Sequence, residues 1–208
     1  MRGRRLTWTV GGVGLIGSGV AGILLSATLG SSLTDTLALL VDVLWAAAVL
    51  VFAIGSSVRD SVVARRPLGL ITLALVAVSP LALWIVGLFQ DPTDPTPLIP
   101  WEVTTFVPLA LSLVAVVQIG RADVVPRRWR WAPAVALGVS VASVALGQAL
   151  MTDQASAAQL VGLASALGML GFLTRTVGLG ILALVAVASE RPASVPVFSS
   201  PNDSAPDA

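Results

Sequence analysis

The sequence predicts an all-α fold, a polytopic transmembrane bundle of six helices with both termini in the cytoplasm. The 208 residues are 56% hydrophobic and only 11% charged, with a mean hydropathy of +0.92, whereas a soluble domain is about one quarter charged. Six apolar runs are each long enough to cross about 30 Å of hydrocarbon. The arginines fall almost entirely in alternate connecting segments, as the positive-inside rule expects.

The predicted spans are 9–29, 36–55, 68–89, 102–120, 132–151 and 159–189. The first run follows Arg2, Arg4 and Arg5, a start that also describes a secretory signal. A retained span is favoured, because the run is long for a signal core and the rest of the chain is itself membrane-embedded. The segment 190–208 is rich in Pro, Ser and Asp and is predicted to be a disordered cytoplasmic tail.

Small residues recur every four positions in the first span, at Gly14, Ser18, Gly22 and Ser26. This spacing places them on one helix face, where another helix can approach closely. Packing within the chain is the favoured interpretation, and contact with a second copy is the alternative. In the third span, Pro80 removes one backbone hydrogen bond and predicts a kink.

Between the third and fourth spans, the segment 91–101 reads DPTDPTPLIPW. Its four prolines prevent a helix and predict an extended cap over one membrane face. Asp91, Asp94 and Glu102 offer carboxylate oxygens, which hard cations prefer, but their spacing matches no known loop pattern. No metal site is therefore predicted.

The most basic segment is 121–131, RADVVPRRWRW, in which Arg127, Arg128 and Arg130 alternate with Trp129 and Trp131. Guanidinium groups bind lipid phosphates and indole rings lie at the membrane interface. The segment is therefore predicted to contact anionic lipid headgroups. Nucleic-acid binding is not expected, because a segment this short between two spans is a poor platform for it.

The arginines also predict the orientation. Eleven of the twelve lie in the N-terminal segment, 56–67, 121–131 and the tail, which places these segments inside. The use of Arg without Lys, with abundant Ala, Val, Leu and Gly, is typical of a GC-rich bacterial genome, so a bacterial cytoplasmic (inner) membrane is predicted. Segments 59–66 and 121–128 align without a gap, which indicates either an internal duplication or two loops of similar composition.

Two charges fall well inside predicted spans. Asp42 lies about 9 Å into the second span, and Arg175 lies about 10 Å into the sixth if that span crosses at 168–188. An ion pair between them is the usual way in which a bundle tolerates such residues, and a water-lined cavity is the alternative. If the crossing is instead 155–173, Arg175 lies at the inner edge.

The missing residue types exclude much chemistry. Without Cys, His or Tyr, the chain has no thiolate nucleophile, no imidazole base and no His or Cys ligand for zinc or haem. No cofactor is predicted. Carboxylate-based lipid chemistry remains conceivable, with the acids Asp60, Asp91, Asp94, Glu102 and Asp123.

The favoured function is therefore a non-enzymatic structural, accessory or partner-binding bundle. A membrane protein partner or a homo-oligomer is the expected association. The alternative is a small permease for a solute, lipid or ion that uses Asp42 and Arg175.

Two short motifs carry a resemblance to a known family. The sequence GLF at 87–89 is followed by Asp91-Pro92 and Asp94-Pro95, and the sequence LTR at 173–175 precedes a glycine-containing apolar run. On these motifs the chain resembles an uncharacterised bacterial family of six-helix membrane proteins, the domain of unknown function 998. That family carries a His after the aspartate-proline turn, and this sequence has none. The resemblance implies six helices and assigns no activity.

Overall fold

The computed structural model describes residues 2–28, 30, 32–57, 60–91, 96–122, 124–125, 129–151 and 157–189. Its helices are α1 (Arg2–Ala27), α2 (Thr34–Ile54), α3 (Pro67–Gly87), α4 (Trp101–Ala122), α5 (Ala132–Met151), α6 (Ala157–Leu173) and α7 (Leu179–Ala188). A π-helical segment (Thr174–Gly178) joins α6 to α7 without a break. These last three elements therefore form one continuous sixth span.

Six helices in the described part of the chain are long and apolar enough to cross a membrane. They are Gly3–Ala27, Thr34–Ile54, Pro67–Gly87, Trp101–Ala122, Ala132–Leu150 and Leu160–Ala188. The prediction of an all-α fold with six such helices is confirmed. The cytoplasmic side of both termini stays a prediction, and the predicted tail 190–208 lies outside the described residues.

Glycine and proline set the ends of α2 and α3. The helix α2 ends at Gly55, whose φ of 58° suits a residue without a side chain, and the Gly55 N–H still donates to the Val51 carbonyl at 3.0 Å. Pro67 begins α3, where its missing N–H has no partner to lose, and Arg66 before it is extended. Pro80 lies inside α3, which continues as a helix past it.

Helix α1 is the hub of the bundle. It packs against α2 on one side and against the π-helical segment and α7 on the other. Helix α3 packs against α2, α4 packs against α3, and α5 packs against α6. Glycine makes the closest crossing possible, since a Cβ atom on Gly180 would lie 2.7 Å from the carbonyl oxygen of Gly12. The two backbones are therefore in contact where α1 crosses α7.

The buried core extends to one end of the bundle, here called the arginine-rich end. This end holds residues 2–8, 54–57, 60–67, 120–122, 124–125 and 129–132. The connection between α2 and α3 folds back there, so that Val63 is fully buried. Two hydrogen bonds hold this connection against α2. The Val62 N–H donates to the Phe52 carbonyl at 3.0 Å, and the Ser61 hydroxyl donates to the Ala53 carbonyl at 2.5 Å. Along the spans, large apolar side chains face outward, as lipid-facing surfaces require.

Candidate functional site

The two intramembrane charges line one small cavity inside the bundle, here called the central cavity. Its volume is about 30 Å³, which is room for one or two water molecules. Residues of α1, α2, α3 and the sixth span meet around it. They are Ser18, Val41, Asp42, Trp45, Pro80, Phe172, Arg175 and Thr176.

Buried hydroxyl groups hold the walls of the central cavity. The Ser18 hydroxyl donates a 3.0 Å hydrogen bond to the Val41 carbonyl, which joins α1 to α2 directly beside Asp42. In the sixth span, the Thr176 hydroxyl donates to the Phe172 carbonyl at 2.8 Å. Ser18 and Thr176 are both almost fully buried, and their hydrogen bonds offset the cost of placing hydroxyl groups inside the membrane.

Arg175 lies in the π-helical segment, near the middle of its span. Leu160 and Ala188 bound this span, so that Arg175 is about 22 Å from one end and about 20 Å from the other along the helix. Its guanidinium carbon Cζ lies 5.5 Å from the ring centroid of Trp45 and 5.5 Å from that of Phe172. Both distances are within the range of cation–π attraction.

The Arg175 side chain is exposed at the surface of the chain. Within the described ranges, neither a hydrogen bond nor an ion pair joins it to another residue. A guanidinium has five N–H donors, and in a low-dielectric setting each one needs an acceptor. Water in the central cavity can serve some of these donors, and the others need an acceptor from outside the described residues.

Asp42 lies at a similar depth on α2, about 12 Å from the start of the helix at Thr34 and about 18 Å from its end at Ile54. Asp42 is half-buried, and its charge and that of Arg175 attract each other electrostatically. Across the described residues, Asp42 forms no direct ion pair with Arg175. Two opposite charges thus line one shared cavity, and the predicted pairing of these charges across it stays a prediction.

Glycines on α1 make room for the sixth span beside the cavity. A Cβ atom on Gly19 would overlap the Val177 side chain and lie 2.9 Å from the Thr176 hydroxyl, and one on Gly22 would overlap the Phe172 ring. Gly19 was not singled out in the sequence, although its spacing of seven from Gly12 puts both on one helix face. The spacing of Gly12 and Gly19 in the sequence therefore indicates the face of α1 that packs against the sixth span.

The predicted stripe of small residues is divided between two neighbours. Gly14 lies against α2, where a Cβ atom added to it would be 3.0 Å from the Cβ atom of Ala48, and Ser18 bonds to α2 as described. Gly22 faces Phe172 of α6 instead. Ser26 is exposed, and its hydroxyl donates to the Ile23 carbonyl of its own helix.

The predicted headgroup segment has several roles at the arginine-rich end. Arg130 donates to the Gly120 carbonyl at the end of α4, and Trp129 packs against the core. Trp131 is 59% exposed, as an interfacial indole would be. Arg127 and Arg128 lie outside the described residues, so the predicted lipid contacts stay a prediction.

A polar network at the same end centres on Asp60. Its carboxylate accepts hydrogen bonds from the hydroxyls of Ser56 at 2.5 Å and Ser57 at 2.7 Å, and the Trp8 indole donates to its backbone carbonyl at 3.1 Å. The two serine hydroxyls hold the pKa of Asp60 below its ordinary value of 3.8, and the nearby Arg4 adds to the effect. These bonds make Asp60 a structural acceptor between α1 and the α2–α3 connection.

In the described part of the chain, no group of three or more His, Cys, Asp or Glu residues is placed to hold a metal ion. Of the predicted acids, Asp94 and Asp123 lie outside that part. Comparison of the sequence with protein-family models, with curated proteins and with solved structures found no match.

Proposed function

We propose that this chain is a non-enzymatic integral membrane protein that binds a transmembrane partner through Arg175 and Asp42. The observation that carries the proposal is Arg175, an exposed residue at mid-span whose guanidinium has no hydrogen bond or ion pair to any other described residue. Six helices that can cross a membrane support the membrane setting. The expected occupant is a transmembrane helix that presents a carboxylate at the same depth.

Energetics favour an external acceptor. A cation at the centre of a spanning helix costs about 3 kcal/mol on insertion scales. The contacts with Trp45 and Phe172 return about 0.5–1 kcal/mol each at an accessible site. The remaining cost is offset when water fills the central cavity and a carboxylate of the partner accepts from the outward-facing N–H groups.

The size of the central cavity argues against an organic solute. A volume of about 30 Å³ is far below the roughly 300–1,000 Å³ of ordinary small-molecule sites. A partner helix needs no enclosed pocket, because it covers the guanidinium from the lipid side. Exposed apolar residues near Arg175 in sequence, Leu170 and Ile181, offer a surface for such a helix.

Site-directed photo-crosslinking in native membranes tests the proposal. A photoreactive amino acid in place of Leu170 is expected to give one adduct of defined mass. Arg175→Met is expected to lower its yield about tenfold, which corresponds to loss of about 1.4 kcal/mol of binding. An adduct of twice the 21.2 kDa chain mass identifies a second copy, and any other mass identifies a different protein.

The control probe replaces Val141, which is exposed on α5, and Arg175→Lys keeps the charge. We expect the control probe to give no Arg175-dependent adduct and the lysine variant to retain part of the yield. An adduct from the Leu170 probe that forms equally in Arg175→Met, with the variant still inserted, would refute the proposal.

A second candidate is a permease for water, protons or a monatomic ion. The specific observation is that Asp42 and Arg175 line a water-sized cavity at mid-span, beside Pro80 in the interior of α3. Proteoliposome flux measurements of protons, chloride and water distinguish this candidate. Flux that depends on both Asp42 and Arg175 supports it, and equal flux in liposomes with and without the protein rules it out.

Orientation and location are proposals as well. The clustering of Arg4, Arg65 and Arg130 at one end of the bundle supports a cytoplasmic position for that end and for both termini. We propose a bacterial inner membrane and membership of the domain of unknown function 998 family on the sequence features given above. Reporter fusions at each connection test the orientation, and outward reporters at 56–67 would contradict it.

A further inference from the structure

An apolar groove between α1 and α2 at the arginine-rich end is a second candidate site. Its volume is about 250 Å³, and its lining residues are Thr7, Leu50, Val51, Ile54 and Gly55. The Thr7 hydroxyl is already used, since it accepts the Ser56 N–H at 3.3 Å. The groove therefore presents a nearly apolar surface at the level where a helix leaves the membrane.

One arginine stands at the mouth of this groove, and a second follows it in the chain. The exposed Arg65 side chain lies on two lining residues, because its Nε donates to the Ile54 carbonyl at 2.9 Å and its Nη2 donates to the Gly55 carbonyl at 3.0 Å. Three of its five N–H groups have no acceptor among the described residues. The adjacent Arg66 is also exposed.

We propose that this groove binds one anionic phospholipid, with part of an acyl chain against Val51 and Ile54 and the phosphate on Arg65 and Arg66. Free guanidinium donors bind phosphate strongly and often through two parallel hydrogen bonds. An apolar groove that adjoins an arginine, with a second arginine next to it in the chain, complements a molecule with one anionic and one apolar end. The proposal is independent of Arg175 and of the function proposed above.

The groove fits a lipid better than a peptide. An extended peptide would need backbone hydrogen-bond partners in the groove. The carbonyls of Ile54 and Gly55 already accept from Arg65, and the Gly55 N–H already donates to Val51. An acyl chain needs no such partners, so the lining suits it.

Native mass spectrometry of the purified full chain in detergent tests the proposal. We expect one phosphatidylglycerol molecule to stay bound per chain and phosphatidylcholine with the same acyl chains to bind more weakly. Arg66→Gln should weaken phosphatidylglycerol binding about fivefold, the effect of one arginine near an anionic lipid surface. Val51→Phe fills the groove and should weaken binding of both lipids.

Matched control variants distinguish lipid binding in this groove from nonspecific attraction of anionic lipid to the positive charge of the chain. Arg121→Gln removes the same charge from the end of α4, and Val141→Phe adds the same ring to α5; both should leave binding within about twofold. Arg65 is left unchanged because its bonds hold the end of α2. Equal weakening by Arg121→Gln and Arg66→Gln would overturn the proposal, and so would unchanged binding in Val51→Phe. Displacement of the lipid by excess inorganic phosphate would also overturn it, because the headgroup alone would then account for binding.

Discussion

Ser18 and Val41 join the first two helices beside the central cavity, because the fully buried Ser18 hydroxyl donates to the Val41 carbonyl at 3.0 Å. Since Val41 directly precedes Asp42, this bond also fixes where the carboxylate enters the cavity. Ser18 thus links the packing of α1 on α2 to the geometry of the candidate site. Replacing Ser18 changes that packing and geometry while both charges stay in place.

We expect Ser18→Ala to lower the free energy of unfolding by about 0.6–1 kcal/mol, the usual value of a polar contact between membrane helices. The larger Ser18→Leu should cost about 1–3 kcal/mol, because a leucine side chain needs more room than the cavity of about 30 Å³ that Ser18 lines. Reversible unfolding in mixed micelles measures both changes. The control is Ser26→Ala, since Ser26 is exposed and bonded only within α1. An equal loss in the control would contradict this account of Ser18.

The crossing of α1 and α7 should not tolerate a side chain. Gly180→Leu places atoms where the Gly12 carbonyl now lies, since even a Cβ would be 2.7 Å away. We expect it to push the helices apart and to lower unfolding free energy by more than about 1–3 kcal/mol. Gly168→Leu is the matched variant in the same span, because nothing lies within 4 Å of its Cβ position. Comparable stability of the two variants would show that the crossing is not close.

Cysteine pairs test the depth match between Asp42 and Arg175, in a chain that has no native cysteine. Because both residues line the central cavity and α1 contacts both elements, a spacer-bearing bismaleimide suits the pair better than a direct disulfide. We expect efficient intramolecular crosslinking of Asp42→Cys with Arg175→Cys. The control pair is Asp42→Cys with Leu163→Cys, toward the far end of the sixth span.

Absence of the first crosslink, together with labelling of Arg175→Cys by a membrane-impermeant reagent, would place residue 175 at a membrane edge. In that case Arg175 would be one more charge near the membrane surface. The proposed partner contact within the bilayer would then lose its basis.

The Asp60 network predicts a pH dependence with a definite sign. Hydrogen bonds from Ser56 and Ser57 hold the folded pKa of Asp60 below 3.8, so the unfolded chain binds the proton more readily. The stabilisation is therefore complete above the unfolded pKa and is lost as the pH falls through the lower folded value. The double variant Ser56→Ala, Ser57→Ala should reduce stability at pH 7 and lose this difference in acid.

Unfolding measured between neutral pH and the acid limit checks this prediction, and Asp60→Asn provides the control, because it carries no titrating carboxylate. In the Asp60→Asn background the serine replacements should give a difference that does not change across this pH range. A serine effect that stays constant with pH in the native background would mean that the hydroxyls do not act through the Asp60 charge.

Two segments show how far the sequence could be taken. The alignment of 59–66 with 121–128 pointed to related connections at the arginine-rich end. In the structure, Arg65 donates to the carbonyl of Gly55 and Arg130 donates to that of Gly120, ten residues back in each case. The sequence indicated lipid contact for Arg130, whereas the structure also places it on a helix end. Both arginines satisfy carbonyls that a terminating helix leaves unpaired, a role that composition does not reveal.

The sequence alone determined the membrane-spanning part of the fold. The count of six spans, the two charged residues well inside them and the clustering of arginine depend on transfer of each segment from water to lipid. This transfer free energy depends only on the residues of one segment, so a run of about 20 apolar residues is sufficient to predict a span. The same reasoning put Asp42 and Arg175 at one depth for one of the two possible placements of the sixth span.

Only the tertiary structure decided which helix faces meet. In lipid the outer and inner faces of a helix are equally apolar, so no periodicity marks the buried side, and shape decides the packing. The backbone contact of Gly12 with Gly180, the π-helical turn that holds Arg175 and the cavity between Arg175 and Asp42 all follow from that packing. They join residues far apart in the chain, whose proximity no local free energy could specify.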